Sequence, residues 1–570
     1  VVLACIATLP RVALSVEDVS TQSSAAGQQA EVPESADVDD GEDMADEEED
    51  DDLLSNLYPG WGEDDLESPD PAATPSAVVS PLLSVRLDAY VGAAFEKSHV
   101  PGMALAVVGR DGILWESLQG DVTSESSPFV IGSLSKSFTA VGIMQLVEQG
   151  RVDLDADVTS YLTDLDLGAP VSVRQLLNQT SGLGSYQSVA QARVVGEQGT
   201  FSYANVNYDL LGKVIAAVSA QSYSSYMSEN VFGPLGLTDT YASLSDACSA
   251  GLVPGHRDWF GLALADGFVH PCTDRAWGQE PSGYISSSLS DMCRYLRMYL
   301  NGGEGVISYD AMRQMFSANV YDAGSDTYYG MGWTTYDRGG ELVQSHDGQV
   351  ENYTSSMCII PSRGVAVVML SDLNDTVYGN YAAFTMMDDV ITLVMGDDPL
   401  VEADSTSTGT TETGDGEPDL SDADATAQGA APDIQELLFG TTLADADAGE
   451  YTEAHVGVNL TCVAFLIACT FQLSFSKAWA RSMAQTASHV RRAARLVLLG
   501  LVHVALPVCL VALVPGYLDS DWAELWGFMP DATLVIALGT SALVAGGIAR
   551  IICLQGEGGG SGPQGQVTAS

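Results

Sequence analysis

Phe129-Val130-Ile131-Gly132-Ser133-Leu134-Ser135-Lys136-Ser137-Phe138-Thr139-Ala140 is an apolar run broken by three serines and a lysine, with a glycine just before the first serine. Helix-forming residues continue to about Gln149 and stop at Gly150, where a left-handed cap is easy for glycine. Ser133 and Lys136 therefore share one face at the start of a predicted helix. Exposed amides at a helix N-terminus favour developing negative charge, so a serine there is suited to attack a carbonyl and to shelter the resulting oxyanion. A lysine removed from water beside it is neutral enough to take the serine proton.

The Ser-x-x-Lys spacing alone does not decide the chemistry, because Ser474-Phe475-Ser476-Lys477 has it too, at the end of an apolar stretch. Context separates the two. Only the first is preceded by Pro101-Gly102-Met103 and followed by Gln145-Leu146, Gly150-Arg151-Val152-Asp153-Leu154-Asp155 and Gln175-Leu176-Leu177-Asn178-Gln179-Thr180-Ser181-Gly182-Leu183. Further on come Tyr203-Ala204-Asn205 with Tyr208-Asp209-Leu210-Leu211-Gly212, and then His346-Asp347-Gly348 with Asn352-Tyr353-Thr354-Ser355-Ser356 and Pro361. Tyr378-Gly379-Asn380 and His455-Val456-Gly457 repeat the letters of these later motifs, the former out of order and the latter at an apolar boundary.

In this order, the motifs of residues 80 to 395 resemble the serine β-lactamase-related enzymes closest to class C β-lactamases, a group that includes D-alanyl-D-alanine carboxypeptidases, D-aminopeptidases and esterases. The resemblance implies Ser133 as nucleophile, Lys136 as its base, and Tyr203 as a relay that moves a proton between Ser133 and the leaving group. Asn205 would offer its amide to Lys136 or to substrate. Gly348, on the edge of a strand, would let the strand backbone approach the substrate closely, and the amide of Gln349 would join that of Ser133 in an oxyanion hole. Relatives often have histidine at the position of Gln179. Members that use β-lactams or D-alanyl peptides well generally carry lysine at the position of His346, so a histidine there, mostly neutral near pH 7, implies a preference for neutral esters or amides. Asp347 beside it is expected to raise the imidazole's pKa and blunt that effect.

Around this core the strand-like runs are Met103 to Val108 and Ile113 to Leu118, joined by the hairpin signal Gly109-Arg110-Asp111-Gly112. Met331 to Thr335, Leu342 to Ser345, Thr354 to Ile360 and Val365 to Leu370 follow late in the domain, the last two joined by Pro361-Ser362-Arg363-Gly364. Helical patterns fill the middle. Strands near both ends with helices between them predict an α+β fold: an antiparallel sheet completed by the two termini, flanked by helices and a helical subdomain.

The chain of 570 residues carries 76 acidic against 22 basic side chains, a formal charge of −54 that would repel a phosphate backbone and excludes nucleic acid as a partner. Residues 31 to 70 hold 19 Asp and Glu and no Lys or Arg, and neither basic type occurs between Arg363 and Lys477. These runs read as solvated segments, which divides the chain into an export-like start (1–15), an acidic spacer (16–79), the folded domain (80–399), an acidic linker (400–454), a membrane region (455–554) and a tail (555–570).

Val456 to Phe475, Leu496 to Val514 and Ala532 to Ala549 are each near the length that crosses a bilayer. The segment between the first two holds Lys477, Arg481, Arg491, Arg492 and Arg495 without an acid, and that between the last two holds Asp519, Asp521, Glu524 and Asp531 without a base. The basic segment is expected on the cytoplasmic side, with the folded domain outside and the tail inside. His503 stands out as an ionisable group within these stretches, too little for a transport unit. Of nine cysteines, Cys248, Cys272, Cys293 and Cys358 belong to the folded domain; a Cys248 to Cys272 bridge and buried free thiols both fit. No Cys or His spacing suggests zinc, and neither a metal nor an organic cofactor is implied. The expected activity is acyl transfer to water from a small ester or peptide through an acyl-enzyme on Ser133; the alternative is a penicillin-binding-like sensor or wall-binding protein that is acylated but turns over little.

Overall fold

The computed structural model describes residues 77–317, 320–396, 448–517 and 522–558. The export-like start and most of both acidic segments lie outside the described residues.

β1 (Gly102–Gly109) and β2 (Ile113–Gly120) form the expected hairpin, closed by backbone bonds of 2.8 and 3.3 Å between Gly109 and Gly112. β3 (Pro128–Val130) follows and pairs later with β6, after β4 (His256–Trp259) and β5 (Leu262–Leu264); β6 is Ser286–Ser288. The late strands are β7 (Val320–Asp322), β8 (Thr327–Tyr329), β9 (Thr334–Arg338), β10 (Glu341–Val350), β11 (Tyr353–Ile360), β12 (Val365–Ser371) and the two-residue β13 (Leu373–Asn374), which pairs with β4. Of the thirteen described strands, eight form one antiparallel sheet in the order β2-β1-β12-β11-β10-β9-β8-β7. β1 thus lies against the last long strand, with Met103 opposite Ser371 and Gly109 opposite Val365.

β1, β11 and β12 are buried along their whole length, because helices cover both faces of the sheet. Alternate residues of β1 divide between two cores. Met103, Leu105 and Val107 pack with Leu87 and Val91 of the Pro81–Ser98 helix and Met386 and Val390 of the Gly379–Met395 helix. Ala104, Ala106 and Val108 face the other way, toward Phe138 of the Ser135–Glu148 helix and Leu296 of the Leu289–Leu300 helix. A central strand covered on both faces needs an apolar residue at every position, which is why Met103 to Val108 reads as a continuous apolar run.

Two details differ from expectation. The strand placed at Met331 to Thr335 begins only at Thr334, since Gly332 turns at φ 85° against the Ser135–Glu148 helix, where an added Cβ would come within 2.9 Å of Ser137 Cα. The strand at Leu342 to Ser345 is the middle of the longer β10. Cys248 and Cys272 are both free thiols.

Among the described residues, three helices are long and apolar enough to cross a membrane: His455–Ser474, His489–Pro515 and Pro530–Gln555. The first belongs to a helix that already begins at Ala448, inside the expected linker. The third of these helices takes in Arg550, which lies just beyond the apolar stretch Ala532 to Ala549 expected from the sequence. Arg550 donates to His503 Nε2 and to Gln472 Oε1, each at 2.5 Å, while the other ring nitrogen of His503 donates to the Leu543 carbonyl at 2.5 Å. His503 is thus one member of a polar cluster between these helices.

The helical bundle abuts the sheet domain through its ends remote from the basic segment. Arg257 donates to the Trp526 carbonyl at 2.7 Å, the amide of Phe260 to Asp531 Oδ2 at 3.0 Å, and Asn459 Nδ2 to the Phe260 carbonyl at 2.8 Å.

Candidate active site

Gly132–Leu134 forms a single tight turn that leads directly into the Ser135–Glu148 helix, so Ser133 stands at the helix entrance as expected. Gly132 has φ 53°, a conformation that side chains with Cβ resist. It is also pressed against β10: an added Cβ would lie 2.6 Å from the amide nitrogen of Gln349 and 2.7 Å from the carbonyl carbon of Gly348. Gly348 is equally confined, its own virtual Cβ falling 2.3 Å from Ser355 Oγ and 2.5 Å from the Ile131 carbonyl oxygen. Ser355 of β11 fixes the turn by donating to that carbonyl at 2.8 Å. The amides of Ser133 and Gln349 are brought together by two glycines that fit only because they lack side chains.

Lys136 is completely buried, and its Nζ contacts three oxygens: Ser133 Oγ at 3.0 Å, Asn205 Oδ1 at 2.7 Å and the Ser282 carbonyl at 2.7 Å. Burial pushes its pKa down to about 7, opposed by the charge of Asp209. Asn205 opens the Asn205–Ser219 helix, and Tyr203 lies just before it with its ring centroid 4.7 Å from Lys136 Nζ. Gln179 holds this segment in place. Held at φ 60° and wholly buried, it accepts from the amide of Ala204 at 3.0 Å and from Asn207 Nδ2 at 2.5 Å, while its carbonyl accepts from the amide of Ser202 at 2.8 Å.

His346 projects from β10 into the same site, its ring 6.4 Å from that of Tyr203. Its Nδ1 donates to the Asp347 carbonyl at 2.7 Å, which leaves Nε2 to accept from the Tyr329 hydroxyl at 3.3 Å. Burial first, and the Lys136 charge second, drive its pKa down to about 3. Asp347 does raise it as expected, but through its backbone carbonyl rather than its carboxylate, and burial and the Lys136 charge outweigh it. Neighbours on a strand point to opposite faces, and the Asp347 carboxyl meets Ser356 and the field of Asp388 instead. Gln349 directs its side chain to Asn374 Oδ1 at 2.8 Å.

The structure therefore gathers Ser133, Lys136, Tyr203, Asn205, His346, Gly348 and Gln349 around one point, from segments more than two hundred residues apart. Ser474 and Lys477 lie in the helical bundle and take no part. Three contributors were missed. The Ser282 carbonyl is a backbone atom with no sequence signature. Tyr329 sits in no motif. Asp209 was quoted only as part of a pattern; a carboxylate on the apolar, buried face of a helix was the signal, and its amide partner is Gln279 at 3.0 Å. Among the described residues, the grouping of side chains close enough to share a metal ion is Asp258, Asp375 and His455, none of them in this site.

The family model described as Beta-lactamase matches residues 87–389, more than half of the chain. Protein flp of Staphylococcus aureus (strain MRSA252) is 25% identical over 324 residues, which cover 51% of this chain and 63% of that protein. The chain thus spans less than two thirds of the length of flp. Penicillin-binding protein 4 of Amycolatopsis lactamdurans is 28% identical over 313 residues, 48% of this chain and 81% of that protein. Among solved structures, the octameric penicillin-binding protein homologue from Pyrococcus abyssi aligns over 55% of this chain and 78% of its own at 24% identity with a TM-score of 0.49. The class C β-lactamase from Rhodobacter sphaeroides aligns over 55% and 100% at 19% identity with a TM-score of 0.46.

Proposed function

The chain belongs to the beta-lactamase family, and on that premise we propose that it is a membrane-anchored serine hydrolase that cleaves a neutral ester or amide through an acyl-enzyme on Ser133. The observation that carries this reading is the coordination of Lys136. A neutral amine has two N–H bonds and one lone pair. The Asn205 and Ser282 oxygens, each at 2.7 Å, use the two donors, and the lone pair is left facing Ser133 Oγ at 3.0 Å. With its pKa lowered to about 7, a large share of the lysine is in that form at neutral pH.

In the proposed reaction Lys136 takes the hydroxyl proton as Ser133 Oγ attacks the carbonyl carbon, and the oxyanion is met by the amides of Ser133 and Gln349. The lysine, directly or through the Tyr203 hydroxyl, returns the proton to the leaving amine or alcohol as the carbonyl–heteroatom bond breaks. Water then attacks the ester, its proton passes to Lys136 and on to Ser133 Oγ as the acyl–oxygen bond breaks, and the acid product leaves with Ser133 and neutral Lys136 restored. His346 enters as a neutral hydrogen-bonding wall rather than a cation, which favours substrates without a carboxylate at that point.

The site is proposed to lie outside the cell. The sheet domain contacts the span ends remote from Lys477 to Arg495, and a basic segment of that kind favours the cytoplasm. Incubating the detergent-solubilised full chain with p-nitrophenyl esters tests the activity: sustained release of acid and alcohol is expected. A single stoichiometric burst with the acyl group retained on Ser133 would replace hydrolysis by the sensor reading.

A further inference from the structure

Asp258, Asp375 and His455 are far apart in sequence and meet where the sheet domain joins the first apolar helix. Asp258 lies in β4, Asp375 directly follows β13, and His455 begins the first span. All three are buried, and one ligand atom from each lies within 4.8 Å of the others. His455 Nε2 is 3.2 Å from Asp375 Oδ2 and 3.6 Å from Asp258 Oδ1. Ligands bound at roughly 2.0–2.1 Å in a tetrahedron stand about 3.3 Å apart, a spacing that those two distances bracket.

The carboxylates are held from behind, as metal ligands commonly are. The amide of Gly261 donates to Asp258 Oδ1 at 2.8 Å. Those of Val377 and Tyr378 donate to Asp375 Oδ1 at 2.9 and 3.2 Å, and that of Gly379 to Asp375 Oδ2 at 2.8 Å. A separate feature is the set of charged groups at the junction: Asp531, also buried, lies beside Asp258. The adjacent guanidinium of Arg257 is directed to Asp266 and to the Trp526 and Gly527 carbonyls. Three carboxyl groups face one imidazole in a buried junction, a set of oxygen and nitrogen donors that a divalent cation can share.

We propose that Asp258, Asp375 and His455 bind one divalent transition-metal cation of the zinc type, which pins the sheet domain to its membrane helices. The mixed nitrogen and oxygen set suits such a metal better than calcium or magnesium, which take oxygen almost throughout. Water or Asp531 would complete the tetrahedron.

The full chain in detergent, stripped with a chelator and dialysed against zinc, is expected to retain about one zinc per chain by elemental mass spectrometry and to melt about 5 °C higher with metal in hundredfold excess. His455→Ala and Asp258→Asn should lose both effects, and His489→Ala, a change at the exposed start of the second apolar helix, should lose neither. Asp258→His exchanges one zinc ligand for another and should keep the metal, whereas an ion pair with His455 would be broken by it. The melting curve of each variant without zinc reports whether it folds; if His455→Ala does not, the two Asp258 variants decide. Wild type without zinc, His455→Ala with as much as wild type, or Asp258→His as empty as Asp258→Asn would each overturn the site.

Discussion

Lys136 Nζ lies 3.0 Å from Ser133 Oγ at the bottom of a site where burial and the Asp209 carboxylate act on the amine in opposite directions. Only the neutral amine accepts a proton, so acylation should rise with pH through a limb at about 7 and level off above it. Asp209→Asn removes the charge that favours the ammonium and should move the limb to lower pH. Lys136→Ala should slow acylation by roughly 10² to 10⁴ and abolish the limb. Burst kinetics with an activated ester across about pH 5 to 9 measure all three; a limb unmoved by Asp209→Asn would contradict the electrostatic account.

His346 supplies no second limb in that range, because its pKa is driven down to about 3. A neutral imidazole cannot replace a fixed cation facing a substrate carboxylate, and a unit-charge pair at 4 Å is worth on the order of 4 kcal/mol at an effective dielectric near 20, before desolvation. Turnover of a chromogenic cephalosporin should therefore be clearly slower than that of a short-chain p-nitrophenyl ester, and His346→Lys should shift the ratio toward the cephalosporin. Faster cephalosporin hydrolysis by the unaltered protein would show the inference to be wrong.

Gly132→Ala should be severe for a reason unrelated to proton transfer. The substitution places a methyl group 2.6 Å from the Gln349 amide in a left-handed backbone conformation. Strain of that kind costs about 1–3 kcal/mol, and moving β10 away would separate the two amides that are proposed to hold the oxyanion. Acylation should fall by at least tenfold together with the melting temperature. A normal rate in Gly132→Ala would remove Gln349 from the oxyanion hole.

Gln179→Ala tests how the second motif is positioned. It leaves the buried amide of Ala204 and the side chain of Asn207 without the oxygen that both now use, a loss of about 1–3 kcal/mol. The acylation rate should drop less than in Lys136→Ala, and Gln179→His, which can still accept one of these bonds, should recover part of it. Equal, full activity in both variants would show that Gln179 is not a positioning residue.

Much of this site could be read from the chain because its members lie in local patterns with physical causes: a serine and lysine one helical turn apart, and a glycine in an otherwise β-forming run. The central strands were legible for the same reason, as apolar runs too short for helices. What escaped depends on packing between distant segments. The Ser282 carbonyl reaches Lys136 only through the fold, and the orientation of the Asp347 carboxyl follows from strand alternation, which proximity in sequence concealed. Asp258, Asp375 and His455 show no ligand spacing, since β13 pairing with β4 and a helix that begins at Ala448 create their proximity.

The central claim is that Ser133 is the nucleophile. It is tested most directly by treating the full chain with a fluorophosphonate and locating the adduct by peptide mass spectrometry. The account predicts a single adduct on the Ser133 peptide, lost in Ser133→Ala and unchanged in Ser474→Ala. Equal labelling of folded Ser133→Ala protein, or an adduct on another serine of the wild type, would contradict it.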